Sequence, residues 1–349
     1  MRRGLMAWDE NELPRSVLMQ RIEGLRAVMT RDGLDGFILY TNLVQPGAVT
    51  YLTGFTPYWT DALLLVPKTG APIFATALSK RVANWISSTN PLSEIVNTPK
   101  PGAAVGARLA ADGCRRVGVL ELDRLPGGLY DEITGAAPTV ALTDGSAAFA
   151  SLRRRIDPAE RGLLAHADAL AVSALAQVDP DQTADAGAVA GLVEKQARLR
   201  GAEEAYIAVA ADLAADRRMI RVSGPLLLAG RFALRASIAY KGSWVRRVVT
   251  IDRDLTAART EAAAVAFAEA VAHLPSDRAL SQFKSFVVEG CRLSQPLEAL
   301  MGSRVAEPHP PAAGAIVSVQ ACIETDGQPI LLGAPALLGA PGEAASAFV

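Results

Sequence analysis

At 349 residues the chain is too long for one ordinary hydrophobic core, which predicts two domains. The formal net charge of -1 gives no basis for a nucleic-acid partner or an anionic membrane surface, so neither is expected. Half of the residues are apolar, yet no run approaches the roughly 18 uncharged apolar residues of a membrane span, and Asp9 and Glu10 arrive before any long apolar segment, which predicts no signal peptide. The widely spaced cysteines Cys114, Cys291 and Cys322 fit a reducing cytoplasm better than a disulfide framework. The histidines His166, His273 and His309 show no metal-ligand spacing, which argues against a histidine-rich metal centre.

In chain order, apolar residues from Val17 to Met29 recur at three and four and predict an amphipathic helix ending at Gly33. Strands are expected at Phe37 to Tyr40 and Ala62 to Val66, an extended piece at Tyr51-Leu52-Thr53-Gly54-Phe55, and a hairpin through Pro67-Lys68-Thr69-Gly70 into Ala71 to Ala75. A helix around Ser79 to Ser88 and a strand at Arg116 to Leu120 continue an α/β domain. The domain boundary is placed after Leu152, giving domains 1–152 and 153–349, with Arg153-Arg154-Arg155 read as a solvated linker.

Beyond it, Asp157-Pro158-Ala159-Glu160 supplies an N-cap acid, proline at the first helical position and a glutamate at the third, so a long helix runs towards Val178. Thr183 is expected to cap a second helix that stops at Gly201, and strands are expected at Tyr206 to Val209 and Pro225 to Leu228. Leu234 to Tyr240 and Trp244 to Ile251 form the arms of a β-hairpin about Lys241-Gly242, and its turn can bring Arg235 and Arg246 close together across the pair. A helix over Ala257 to His273 and strands at Ile316 to Cys322 and Leu331 to Leu338 complete an α+β domain.

These phrases resemble the creatinase, prolidase and aminopeptidase P family. The likeness is carried in the first domain by Asp32-Gly33-Leu34-Asp35-Gly36 and Tyr51-Leu52-Thr53-Gly54-Phe55. In the second it lies in Arg155 through Glu160, Arg200-Gly201-Ala202, Gly230 through Thr250 and Gly314 through Val319. It implies an α/β ribonuclease-H-like N-terminal domain followed by an α+β pita-bread domain with a curved antiparallel sheet, here shortened between Arg246 and Gly290. Active members of that family bind two metals through two aspartates, a histidine and two glutamates. Carried onto this sequence, those positions fall at Arg235, Arg246, Gly290, Gln320 and either Gly333 or Ala334, and the assisting histidine has no counterpart. Two carboxylates replaced by two guanidinium groups repel a metal pair that needs anionic oxygen ligands, so no metal or other cofactor is expected.

The residues then allow several readings. Arg235 and Arg246, with Tyr240, Gln320 and the loop residue His309, could hold a small anionic ligand; alternatively each arginine pairs with an acid such as Glu324 or Glu289. Cys291 reads as a buried inert thiol, and Asp252 and Asp254 as surface acids that cap the following helix. Tyr51, Phe55, Tyr58 and Trp59 read as a core patch or a dimer contact. The leading expectation is a catalytically degenerate, metal-free homologue acting as a binding or subunit protein, in a homodimer or beside an active paralogue. The alternatives are a metal-independent, creatinase-like carbon-nitrogen hydrolase and an Xaa-Pro metallopeptidase.

Overall fold

A computed structural model describes residues 8–44, 46–56, 60–153, 156–182, 185–222, 224–253, 257–274, 283–290, 313–325, 327–339 and 346–347. The chain divides into two compact units whose main segments are Arg2–Arg153 and Arg154–Cys291 with Leu297–Val349.

The first unit runs α1 (Arg15–Asp32), β1 (Gly36–Thr41), α2 (Gly47–Thr53), β2 (Ala62–Pro67), β3 (Ile73–Thr76), α3 (Ala83–Thr89), β4 (Glu94–Asn97), α4 (Pro101–Ala111), β5 (Arg116–Val119), α5 (Gly127–Ala136), β6 (Ala141–Asp144) and α6 (Ser146–Leu152). Its strands lie in the order β4-β3-β2-β1-β5-β6. β1, β2 and β3 pair antiparallel, whereas β5 and β6 continue from β1 in parallel. Alternation along β1 sends Phe37 and Leu39 into a core shared with α1, α2 and α6, and Ile38 and Tyr40 into a second core under α4 and α5. Covered on both faces, the central strands read as unbroken apolar runs.

Gly33 ends α1 in the left-handed region at φ 66°, as its sequence position predicts. Two residues on, Asp35 clamps the sheet. Its carboxylate accepts from the backbone N–H of Arg115 (2.8 Å) and Arg116 (3.0 Å), while Lys68 Nζ stands 2.6 Å away. The Lys68 bond first, and then the backbone N–H bonds, hold the Asp35 carboxyl down at about 2.

The phrase Tyr51 to Phe55 is not extended. Residues 47–53 are helical and end on Gly54 at φ 73°. Val49 and Leu52 are wholly buried one helical turn apart, so packing overrides the β-branched composition. Phe55 meets Phe74 and Trp85 edge-on, which places it in the core. The guanidinium carbons of Arg21 and Arg153 lie 4.3 and 4.0 Å from the Tyr51 ring centroid, so Arg153 is held by an aromatic face where a solvated linker was expected. Tyr58, Trp59, Arg154 and Arg155 lie outside the described residues. Between Asn90 and Leu152 the structure adds β4, α4, α5, β6 and α6, which the sequence reading did not place.

The second unit runs α7 (Pro158–Leu175), α8 (Ala186–Leu199), β7 (Glu204–Ala210), β8 (Arg231–Tyr240), β9 (Ser243–Asp252), α9 (Ala257–Ala272), β10 (Phe283–Gly290), β11 (Ile316–Thr325), β12 (Gln328–Leu337) and β13 (Ser346–Ala347). Asp157 caps α7 by accepting from Glu160 N–H at 2.8 Å. Asp185 caps α8 through Ala188 N–H, whereas Thr183 lies outside the described residues. The stretch Pro225 to Leu228 is not a strand; it contributes a single bridge from Leu227 to Asp185. The sheet is antiparallel in the order β10-β11-β12-β9-β8-β7.

One face of this sheet is covered by helices. Leu234, Ala236, Ile238 and Val245 pack with α7 and α8, and Val317, Val319, Ala334 and Ala336 pack with α9. Arg247 also faces the helices, where its fork meets both oxygens of Asp168 at 2.6 Å. That pair ties α7 to β9 with both groups largely removed from water.

Asp168→Ala leaves a mostly buried guanidinium without its carboxylate, and urea unfolding is expected to show a loss of about 3–5 kcal/mol. The pH dependence of Asp35 has a defined sign. Its folded-state value lies below the ordinary carboxylate value of about 3.9, so its stabilisation is complete above that value and is lost as pH falls towards about 2. The stability gap between wild type and Asp35→Asn is therefore expected to narrow over that window in denaturant titrations at stepped pH.

Candidate functional site

The face opposite the helices is organised by the β8–β9 hairpin. Lys241 and Gly242 both have positive φ, 45° and 76°, the combination of a two-residue turn whose twist matches its strands. Buried Glu203 accepts from Gly242 N–H at 2.9 Å and holds the turn from the side of β7. The resulting register pairs Arg235 with Val248 and Ser237 with Arg246. Opposed residues share a face and side chains alternate, so Arg235, Ser237, Arg246 and Val248 lie together, with the two arginines as diagonal neighbours.

The next strands extend this face in rows. Val248 pairs with Gly333, Gly333 with Gln320, and Gln320 with Val287. In the neighbouring row Ser318 pairs with Pro335 on one side and Glu289 on the other. Antiparallel pairing carries Pro335 opposite Arg246, because each stands two residues from the Gly333–Val248 bridge. The structure thus brings Arg235, Arg246 and Gln320 onto one face.

Tyr240 does not join them. It sits an odd number of residues from Arg235, on the helix-covered face, where its ring lies 4.1 Å from that of His166 on α7. His273 also stands apart, at the end of α9 with Nδ1 2.7 Å from the Glu269 carbonyl. His309 and Cys291 lie outside the described residues. Gly290 pairs with Val317, a helix-side residue, whereas the preceding position, Glu289, takes a register position on the arginine face. Gly333 and Ala334 separate in the same way: Gly333 belongs to the arginine face and Ala334 packs under α9.

Burial gives the face its electrostatic character. Arg246 is 2% exposed and is the largest fully buried side chain among the described residues, and Arg235 is 8% exposed. Ser237 and Ser318, in the row of Arg246, are buried with hydroxyls that have no hydrogen-bond partner. The acids considered as arginine partners divide. Glu324 goes to Arg217 (3.0 Å) and Lys284 (3.2 Å), and those cations, Arg217 first, hold its pKa below the usual carboxylate value. Asp252 is nearly buried and pairs with Arg231, so it is not a surface acid, and Asp254 lies outside the described residues.

These residues do not suit a metal pair. Two guanidinium groups stand at positions to which the resemblance assigns aspartates, and Gln320 offers a neutral amide. A Cβ on Gly333 would lie 2.7 Å from Val248 Cγ2 and 3.1 Å from the Val319 carbonyl, which leaves no space for a carboxylate there. Among the described residues no group of three or more His, Cys, Asp or Glu side chains could hold a metal ion.

Residues 21–155 match the family model described as the creatinase/prolidase N-terminal domain. The N-terminal domain is thus similar to that of creatinase and prolidase. The described residues share the fold of solved prolidases. An Xaa-Pro dipeptidase from Bacillus anthracis superposes with a TM-score of 0.70 at 18% identity, covering 95% of this chain and 97% of that one. The prolidase from Pyrococcus horikoshii OT3 gives 0.69 at 13% identity, with 94% and 97% covered. The N-terminal domain of FACT complex subunit SPT16 from Eremothecium gossypii gives 0.62 at 14% identity, with 95% and 96% covered. No curated protein matches at the level of sequence. The prolidase fold here presents Arg235, Arg246, Gln320 and Gly333 together, a grouping that motif spacing alone left open between Gly333 and Ala334.

The Gly333–Val248 contact is directly testable. Gly333→Ala is expected to cost about 1–3 kcal/mol through overpacking against Val248. Combining it with Val248→Ala should cost less than the sum of the two single changes, as read in a double-mutant cycle of urea unfolding.

Proposed function

We propose that this chain keeps the prolidase fold without metallopeptidase chemistry and acts as a binding or subunit protein, as a homodimer or beside an active paralogue. The observation that carries this reading is the placement of buried Arg235 and Arg246 on one sheet face, where the resemblance assigns two metal-binding aspartates. Divalent cations are held by several anionic oxygens that offset lost hydration, and two fixed cations oppose that at close range. The packing of Val248 on Gly333 adds a steric obstacle at a third ligand position. The similarity in fold to a domain of a FACT complex subunit supports the subunit role.

A metal-independent hydrolase has less support. His166 and His273 both stand away from the arginine face, so a general base of that type would rest on His309 alone. The proposed compartment is the cytoplasm. Cys114 and Cys322 are free and buried, and burial raises both thiols, which suits inert core cysteines. Among the described residues no helix is long and apolar enough to cross a membrane.

Protein expressed with manganese, cobalt and zinc and purified without chelator is expected to carry less than about a tenth of a metal equivalent per chain, well below two-metal occupancy. It should also release no amino acid from Xaa-Pro dipeptides, with or without added metal. One to two bound equivalents together with chelator-sensitive dipeptide cleavage would restore the metallopeptidase reading.

A further inference from the structure

The edges of the two sheets differ in how they are protected, and one of them is left open. We propose that the chain pairs with a second copy of itself through β10, antiparallel and about a two-fold axis, so that the sheets of the second units become continuous. This deepens the homodimer form of the reading above and does not depend on the loss of metal.

An unpaired strand edge offers a row of N–H and C=O groups to another chain, and proteins blunt such edges with short strands, charges or covering segments. In the first sheet the edges are β4 and β6, of four residues each. In the second sheet the β7 edge is longer but covered. Val209 exchanges both backbone bonds with Ile220, at 2.8 and 3.1 Å, and the Arg221 guanidinium carbon lies 4.7 Å from the Tyr206 ring centroid. At the other edge, β10 is eight residues long, and among the described residues no strand pairs with its outer side.

The sequence of β10 suits strand addition. Its centre, Ser285-Phe286-Val287-Val288, holds no charge, proline or glycine, and two of its residues are β-branched. Val287 is 43% exposed, a large apolar side chain left partly in water. Lys284 and Glu289 flank the centre with opposite charges.

Symmetry selects the occupant. Two copies of one edge strand lie side by side and antiparallel only about an axis perpendicular to the sheet, which keeps every residue on its own face. From Ser285 to Gly290 the paired numbers must therefore share parity. With the axis at Val287, that residue meets its own copy and Ser285 stands opposite Glu289 of the second copy. The register shift between Phe283 and Ser285 leaves Lys284 on this same face, 3.2 Å from Glu324, so Lys284 neighbours that Glu289. The opposite charges meet twice while the uncharged centre pairs with itself, whereas a strand of a single sign would oppose one of them. Because both β10 edges are consumed, the assembly closes at two copies.

The test uses the full-length protein. Sedimentation equilibrium is expected to give twice the chain mass, and amide exchange in β10 should slow at least about fivefold as concentration rises through the dimerisation range. Val287→Lys sets two cations on the axis at a partly exposed position, so the variant should keep its circular dichroism yet dimerise at least about tenfold more weakly. Val287→Thr keeps the branched shape and should dimerise within about threefold of wild type. In a Cys291→Ser background, oxidised glutathione should cross-link Val287→Cys across the axis but not Ser285→Cys, whose thiols lie too far apart along the strands.

A protein that stays monomeric overturns the proposal, because the edge is then covered by its own chain or by a different partner. It is equally overturned by a dimer whose β10 exchange ignores concentration, by Val287→Lys dimerising as wild type does, or by cross-linking at Ser285→Cys in place of Val287→Cys. Metal content separates the two levels. A metal-free monomer removes this inference alone, whereas bound metal in a β10-paired dimer removes the reading of lost metal and leaves the interface.

Discussion

The register of the β8–β9 hairpin is the constraint on which the site depends. Side chains on a strand alternate with a period of two, so a slip of one residue would turn Arg235 towards the helices and bring helix-side apolar residues onto the other face. The positive φ of both Lys241 and Gly242, together with the Glu203 carboxylate on Gly242 N–H, sets the turn that fixes this pairing. Ser237 beside Arg246 follows from that register, the β9–β12 bridge at Val248 and Gly333 carries the face onward, and the β11–β12 pairing sets Gly333 opposite Gln320. Thr250 supports the same junction, with its hydroxyl both accepting from and donating to the Leu331 backbone, at 2.8 and 2.9 Å.

Adjacent arginines on β9 illustrate how one strand serves two purposes. Arg247 meets Asp168 in a two-pronged pair that fastens a helix to the sheet, while Arg246 lies buried on the opposite face. Both are cations, but alternation gives one a structural carboxylate and places the other among the positions that define the site. On the proposed reading the departure from metal chemistry is distributed: guanidinium groups stand at two of the positions that the resemblance assigns to ligands, a neutral amide at a third, and at a fourth a glycine closed off by Val248.

The first unit is held by a different economy of contacts. Asp35 gathers two backbone N–H groups and Lys68 at the start of β1, so one carboxylate joins three segments of the central sheet. Tyr51 lies beside Arg21 and Arg153, fixing the last residues of that unit against its own core.

Local chemistry in the sequence determined much of the framework. Helical periodicity and Gly33 gave α1, Asp157-Pro158-Ala159-Glu160 gave the start of α7, and Lys241-Gly242 between β-branched runs gave the hairpin, because each signal acts within a few residues. The same local reasoning failed where packing decided. Tyr51 to Phe55 looked extended, but its first three residues close a largely buried helix that ends on Gly54, and Pro225 to Leu228 looked like a strand and made one bridge. Within the site, sequence alone singled out Arg235 and Arg246 as an improbable pair of cations, but it also grouped Tyr240 with them. Only the tertiary structure assigned Tyr240 to the helix side, chose Gly333 over Ala334, and brought Ser237 and Ser318 into one row, because facing is set by pairing between strands far apart in the chain.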